Sequence, residues 1–201
     1  MNFKKMTVGL AAMILVAGAV QAKKEGAQMP PAMQAQMAKM KEVGAPGAEH
    51  AVLKTLEGRW KVTGRSWMKP GDQPQESTGK STMEWVLDGR FLKQKYQGEW
   101  AGEEFDGLGF VGYDKMKKQY MTTWMDSMAT GLFQSTGRYD AAAKTFKESG
   151  RFSCPMTGEK DAWFRSEWQI IDNDHNVYNM YMRDKRTGRE FKSMELLYTR
   201  K

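Results

Sequence analysis

From Trp60 onward the chain is a succession of short segments of alternating polarity, and this feature limits its fold more than any other. Turn residues separate the segments, no helical pattern interrupts them, and each is roughly eight to twelve residues long. Strands are predicted at 59–68, 76–87, 90–100, 105–113, 118–126, 131–139, 145–153, 161–172, 176–184 and 190–199. Strands with short connections run up and down, and closing them into a barrel removes the exposed edges. The sequence therefore predicts an all-β fold, a single up-and-down antiparallel barrel of about ten strands.

The turn residues support this division of the chain. Asp88 and Gly89, between Leu87 and Arg90, predict a two-residue hairpin turn of type I′, which requires positive φ at both central positions. Longer turns of the same kind are predicted at 155–158, 173–176 and 186–188.

One short helix is predicted before the first strand. Ala51, Val52, Leu53 and Leu56 recur at helical spacing, and Gly58 is a suitable C-cap. The barrel domain is therefore placed at 49–201.

The period of two predicts which side chains face the barrel interior. The predicted inward sets are Leu92, Gln94, Tyr96 and Trp100 in the third strand, Tyr120, Thr122, Trp124 and Asp126 in the fifth, and Phe164, Ser166, Trp168 and Ile170 in the eighth. In the fifth strand Met121, Thr123 and Met125 are an alternative core face. Because the inward sets are aromatic and polar rather than aliphatic, they favour a partly open cavity for a small hydrophobic ligand. The candidate ligand-binding residues are Tyr96, Trp100, Trp124, Asp126 and Trp168.

The N-terminus has the three-part pattern of a secretory signal peptide. Lys4 and Lys5 precede the apolar stretch 6–20, and small residues around Ala22 predict cleavage there. The apolar stretch is shorter than the roughly 20 residues that cross a bilayer, so no transmembrane segment is predicted in the mature chain. Since Lys23 rather than a cysteine follows the cut, no lipid anchor is predicted. We expect an exported protein, periplasmic or secreted.

Residues 23–48 are predicted to be a flexible spacer, because they are rich in Ala, Met and Gln and contain no aromatic residue. Within them Met29, Met33, Met37 and Met40 would share one face of a short helix. Thioethers are soft ligands suited to Cu(I), so one hypothesis makes the spacer a copper-binding segment with the barrel as scaffold. The alternative is an amphipathic helix whose methionines cover apolar surface.

Charge and cysteine content narrow the choice of partners. Removing residues 1–22 takes away two lysines and lowers the net charge from +7 to +5. Basic and acidic residues alternate through the body, which is typical of a solvated surface rather than a nucleic-acid interface. Cys154 is the single cysteine, so stability has to come from packing. No feature indicates an oligomeric state.

Gly58-Arg59-Trp60, at the start of the first strand, resembles the Gly-X-Trp signature of lipocalin-type barrels. In that superfamily the Trp closes one end of the barrel and an Arg from the last strand packs on it. The resemblance makes Arg200 the partner of Trp60. A guanidinium suits this position because it stacks on an indole and donates to free carbonyls.

A wider resemblance links residues 50–201 to the family of domain of unknown function 1579, a calycin-like group of bacterial barrels. The residues that carry it are Gly58-Arg59-Trp60, Glu76-Ser77-Thr78-Gly79, Asp88-Gly89-Arg90-Phe91-Leu92, Gly112-Tyr113-Asp114, Thr123-Trp124-Met125-Asp126-Ser127-Met128, Gly131, Gly137-Arg138-Tyr139-Asp140, Lys192-Ser193-Met194-Glu195 and Tyr198-Thr199-Arg200. The resemblance implies the fold and no established activity.

The sequence presents few candidates for catalysis or cofactor binding. His50 and His175 lie in the predicted leading helix and in a turn, so neither haem nor a metal is predicted, nor any other cofactor. No catalytic residue is assigned. An isomerase or hydrolase using Asp126 or Glu167 is the enzymatic alternative, because a carboxylate beside Trp124 would have a raised pKa. The opposing interpretation is that Asp126 ends its strand and caps the turn after it.

Overall fold

A computed structural model describes residues 29–201, and the predicted signal peptide at 1–22 lies outside the described residues. Ten strands follow two helices and a 3-10 turn. The strands are β1 (Gly58–Ser66), β2 (Gln75–Val86), β3 (Phe91–Trp100), β4 (Glu103–Asp114), β5 (Gln119–Asp126), β6 (Phe133–Asp140), β7 (Thr145–Cys154), β8 (Glu159–Ile170), β9 (His175–Arg183) and β10 (Glu190–Arg200).

The ten strands form a closed antiparallel barrel in which each strand pairs with its neighbours in sequence. β1 pairs with β10 to complete the circle, with Trp60 opposite Arg200 and Val62 opposite Tyr198. The predicted number of strands, their order and the closure are confirmed. Closure pairs each of the ten strands on both sides. The barrel of residues 58–200 therefore has no exposed strand edge at which another chain could pair and aggregate.

The turn between β2 and β3 has the predicted type I′ geometry at its centre. Asp88 and Gly89 have φ of 54° and 80°, and the Arg90 amide donates to the Leu87 carbonyl over 3.3 Å. Leu87 also has positive φ, at 51°, and strand pairing stops one pair earlier, at Val86 and Phe91. The connection therefore spans four residues rather than two.

Two helices precede the barrel. α1 (Pro31–Gly44) lies within the predicted spacer and has no buried residue, and Met33, Met37 and Met40 are all exposed. α2 (Ala48–Leu53) continues as the 3-10 turn Lys54–Leu56. None of the helices among residues 29–201 is long and apolar enough to span a membrane.

Gly58 is the first residue of β1 rather than a helix C-cap, because the helical segment already ends at Leu56. Its φ of 129° suits glycine, and a Cβ at this position would overlap the Nη1 atom of Arg200. The close approach of Arg200 therefore accounts for the glycine.

The predicted facing of the strands is confirmed in β3 and β8. Leu92, Gln94 and Tyr96 are buried, as are Phe164, Ser166, Trp168 and Ile170, whereas Lys95, Gln97 and Glu99 are exposed. In β5 Tyr120 is buried and Met121 is exposed, which assigns the inner face to the Tyr120 set. Cys154, the single cysteine, is the buried last residue of β7.

The end of the barrel next to α2 is sealed by Trp60 and Arg200. The Arg200 guanidinium lies 4.1 Å from the centroid of the Trp60 ring, as the resemblance to lipocalins implies. It donates to three backbone carbonyls, those of Glu57 at 2.7 Å, Thr55 at 3.0 Å and Asn173 at 2.7 Å. The Trp60 indole is fully buried and donates from Nε1 to the Leu56 carbonyl over 2.9 Å. One side chain thus joins the last strand, the 3-10 turn and the β8–β9 connection.

Replacing Arg200 by Ala is expected to lower the free energy of unfolding by about 1 to 3 kcal/mol, since it removes the cation–π contact and leaves carbonyls without donors. Arg200→Lys is the matched control, because it keeps the charge and loses the planar fork that reaches three carbonyls. We expect urea unfolding to rank wild type above R200K and R200K above R200A. Equal midpoints for all three proteins would show that the closure does not depend on this residue.

Candidate functional site

A small cavity lies in the barrel interior near the sealed end. Its volume is about 20 Å³, which is room for roughly one water molecule. Its wall consists of Leu56, Val111, Thr122, Phe146, Glu148, Ser166, Trp168 and Tyr178. The partly open cavity expected from the sequence is therefore almost filled. The inward aromatic rings lie across the lumen and pack on one another, as Trp168 does on Tyr178 and Tyr198 at centroid distances of 5.7 and 5.6 Å.

Glu148 is the acidic residue of this wall. β7 places its side chain on the inner face, two residues after Phe146 and four before Phe152, and all three are buried. Its Oε2 accepts a hydrogen bond from the Ser135 hydroxyl over 2.7 Å, and its Oε1 accepts one from Thr122 Oγ1 over 3.1 Å. The carboxyl group is thus held by hydroxyl donors from β5 and β6, the two strands next in order around the barrel.

Within residues 29–201, this carboxyl group has no cationic partner. Among residues 29–201, none of the ion pairs involves Glu148. Burial raises the pKa of Glu148 above its ordinary value, and the hydrogen bonds from Ser135 and Thr122 offset part of that rise. Tyr178, on the same wall, also has a raised pKa because it is buried. The site therefore favours a neutral carboxyl group unless a positive charge accompanies it.

The predicted site residues are spread along the length of the barrel. Trp168 lines the cavity, and its Nε1 donates to Asn176 Oδ1 over 2.6 Å. Tyr96 is buried and packs edge-on against Phe105 at 5.7 Å. Trp100, near the other end of the barrel, is half-buried and donates from Nε1 to Ser66 Oγ over 3.1 Å. The structure thus does not gather these three residues into one pocket.

Trp124 and Asp126 do lie together, at the end of β5. Trp124 Nε1 donates to Asp126 Oδ2 over 3.0 Å. The indole rests on the backbone of β4, where a Cβ on Gly107 would overlap the ring and one on Gly109 would lie 2.9 Å from it. Two glycines on the inner face of one strand therefore make room for one large ring.

Neither acid of the enzymatic alternative lies at the cavity. Asp126 Oδ1 accepts a hydrogen bond from the Met128 amide over 3.0 Å, so this carboxylate caps the turn after β5. Glu167 lies on the outer face of β8 and pairs with Arg165 over 2.7 Å. The two histidines are also apart from it. His50 is buried in α2 and accepts from the Gly47 amide, and His175 is exposed at the start of β9.

Sequence reasoning missed Glu148, although the signal was present. Phe146, Glu148, Phe152 and Cys154 fall on one face of β7 by the period of two, so an acid stands among residues that belong inside. The same period places Thr122 and Ser166 inward correctly, but no spacing in the chain indicates that they meet Glu148. That meeting depends on the register of β5 through β8.

The chain is thus a closed, antiparallel up-and-down β-barrel protein with one sealed end. Residues 45–200 match the family described as protein of unknown function DUF1579, and the chain belongs to that family. Comparison with curated protein sequences finds no significant match.

Several solved structures share the fold, including the following two. The crystal structure of Rv2717c from M. tuberculosis is 16% identical with a TM-score of 0.59, and the match covers 78% of this chain and 99% of that one. The S-type phycobiliprotein lyase CPES from Guillardia theta is 12% identical with a TM-score of 0.53, and the match covers 80% of this chain and 96% of that one. At such identities the similarity shows the fold alone.

Replacing Glu148 by Gln should change how stability depends on pH. A carboxyl group whose pKa is raised by folding binds a proton more tightly in the folded state, so wild-type stability falls as pH rises above the unfolded-state value of about 4.3. The amide of E148Q cannot ionise, so the melting temperature of this variant minus that of wild type should increase from pH 4 to pH 7. Glu104→Gln, at an exposed residue of β4, is the control, and its difference should stay flat. If the melting temperatures of E148Q and wild type changed with pH in parallel, the raised pKa of Glu148 would be contradicted.

Proposed function

We propose that this protein is an exported binding barrel for a small, largely apolar ligand. The observation that carries the proposal is the contrast between the two barrel ends. One end is sealed by α2, Trp60 and Arg200. At the other, inward side chains are half-buried and form what we call the aromatic mouth, defined by Trp100, Phe105, Trp124, Phe133 and Met182. Half-buried aromatic side chains at one end of a barrel are typical of a ligand entrance.

Binding requires the side chains of the mouth to move, because the cavity of about 20 Å³ is too small for an organic ligand. Trp124 is suited to this movement. Its ring contacts the backbone of Gly107 and Gly109, and one hydrogen bond to Asp126 orients it. The likeness to a phycobiliprotein lyase supports the proposal at the level of architecture only.

Export is part of the proposal and is supported by the N-terminal sequence, in which two lysines, an apolar stretch and a small-residue site succeed one another before Lys23. A periplasmic or secreted barrel would meet ligands that arrive from outside the cell or from the envelope.

The test uses the full chain expressed in a secreting bacterium. We expect the exported protein to begin at Lys23 by intact mass, to carry an extra mass in native mass spectrometry that organic extraction removes, and to bind the neutral apolar probe N-phenyl-1-naphthylamine. Trp124→Ala should change the affinity for the probe several-fold, because it alters the aromatic mouth. Trp163→Ala is the control, since Trp163 lies on the outer face beneath Arg183 at 4.5 Å. No retained mass and no binding of the probe would mean that the barrel is a filled scaffold.

A second candidate function is Cu(I) binding by Met29, Met33, Met37 and Met40, which we call the methionine stripe. The exposure of these side chains in and just before α1 favours it. Met33, Met37 and Met40 lie in this helix at the spacing of one face, with 51%, 40% and 67% of their surfaces exposed, and Met29 precedes it at 40%. Exposed thioethers one turn apart are accessible to a soft cation.

Changing Met29, Met33, Met37 and Met40 together to Leu keeps helix propensity and apolar volume but removes the sulfur atoms. We expect anaerobic titration against a chromophoric Cu(I) chelator to show uptake by wild type and its loss in this variant. The matched control changes four other exposed methionines, Met68, Met116, Met128 and Met156, to Leu. Equal Cu(I) uptake by the two variants would show that Cu(I) does not bind at the methionine stripe.

A further inference from the structure

We propose that the Glu148 cavity binds the primary ammonium group of an organic amine, with the rest of the ligand extending toward the aromatic mouth. This inference rests on the proposed binding function and names the chemical class of the ligand.

The first argument is the unmatched charge of the carboxyl group. Glu148 is buried, lines the cavity, and has no cationic partner among residues 29–201. Burying a carboxylate without a partner is costly, so the group takes up either a proton or a positively charged ligand. The cavity is the place where such a ligand would touch it.

The second argument is the hydrogen-bonding geometry. Each carboxyl oxygen accepts one hydroxyl hydrogen bond, from Ser135 and from Thr122. A carboxylate has about four lone-pair sites, so two remain for further donors. A primary ammonium group brings three donors and no acceptor, which matches a site that offers acceptors. Ser166, on the same wall, has a further hydroxyl oxygen.

The third argument is the aromatic part of the wall. Phe146, Trp168 and Tyr178 line the cavity together with Glu148. Aromatic faces attract cations, and the attraction grows when the cation is desolvated. The same wall disfavours an anionic ligand, because a second negative charge beside Glu148 would repel it in a medium of low dielectric. The site therefore selects amines over carboxylic acids of the same shape.

The size of the cavity selects the kind of amine. About 20 Å³ holds a group the size of water, which an ammonium head approximates and a trimethylammonium head exceeds. The organic part has to leave the cavity in the direction away from Leu56, which closes the sealed end. Thr122 lines the cavity and Trp124 follows two residues later on the same strand face, so the path toward the mouth passes Trp124.

The test is calorimetric titration of the exported full chain with 1-octylamine, 1-octanol and octanoate, which share one alkyl chain. We expect octylamine to bind more tightly than octanol by about 10- to 100-fold, the range for hydrogen bonds to a charged group, and octanoate to bind most weakly. In E148Q this preference for octylamine over octanol should vanish. Glu104→Gln, at the exposed start of β4, should behave as wild type.

A measurement on wild type alone tests the proposal even if E148Q fails to fold. Octylamine titrations in two buffers of different ionisation enthalpy should show proton release, because the neutral Glu148 carboxyl group loses its proton when the ammonium group arrives. Equal affinity for octylamine and octanol, or no proton release, would overturn the amine assignment and leave the binding function intact. No binding of any of the three compounds, nor of the neutral probe, would overturn both.

Discussion

The pairing of the first strand with the last is the constraint on which the rest of the structure depends. Without it β1 and β10 would be free edges, and the inward side chains of every strand would face water instead of one another. The pairing is reinforced at its end by Arg200, whose guanidinium lies on Trp60 and donates to carbonyls on either side of the seam. Residues far apart in the chain thus determine whether an interior exists.

The barrel interior contains more polar side chains than hydrophobic packing alone requires. Gln94 donates to Ser81 and to Tyr198, Trp168 donates to Asn176, and Glu148 accepts from two hydroxyls. Each of these bonds satisfies a group whose burial is otherwise unfavourable. Within the described part of the chain, Asn176 Nδ2 has no partner, and Glu148 has no counter-charge. Packing alone does not require an acid in this position, which is why the cavity carries the proposal of an amine ligand.

The two ends of the barrel differ in how completely their side chains are buried. The sealed end holds most of the fully buried side chains, among them Leu53, Leu56 and Trp60, and stabilises the closure. The side chains of the aromatic mouth are only half-buried, and the Trp124 ring rests on glycines. A protein that admits a ligand needs this asymmetry, because regions that move are those with fewer buried contacts.

Local pattern was sufficient to predict the strands, their order, the leading helix and the inward face of β3 and β8, because period and turn chemistry are properties of neighbouring residues. The Trp60–Arg200 contact followed from the resemblance to lipocalins. The sequence by itself therefore determined that this chain is an up-and-down barrel and which side chains of β3 and β8 point inward. Only the tertiary structure decided that these side chains nearly fill the lumen and that Glu148 meets Thr122 and Ser135. The register of β5, β6 and β7 and the curvature of the closed sheet set those distances, and no local pattern records them.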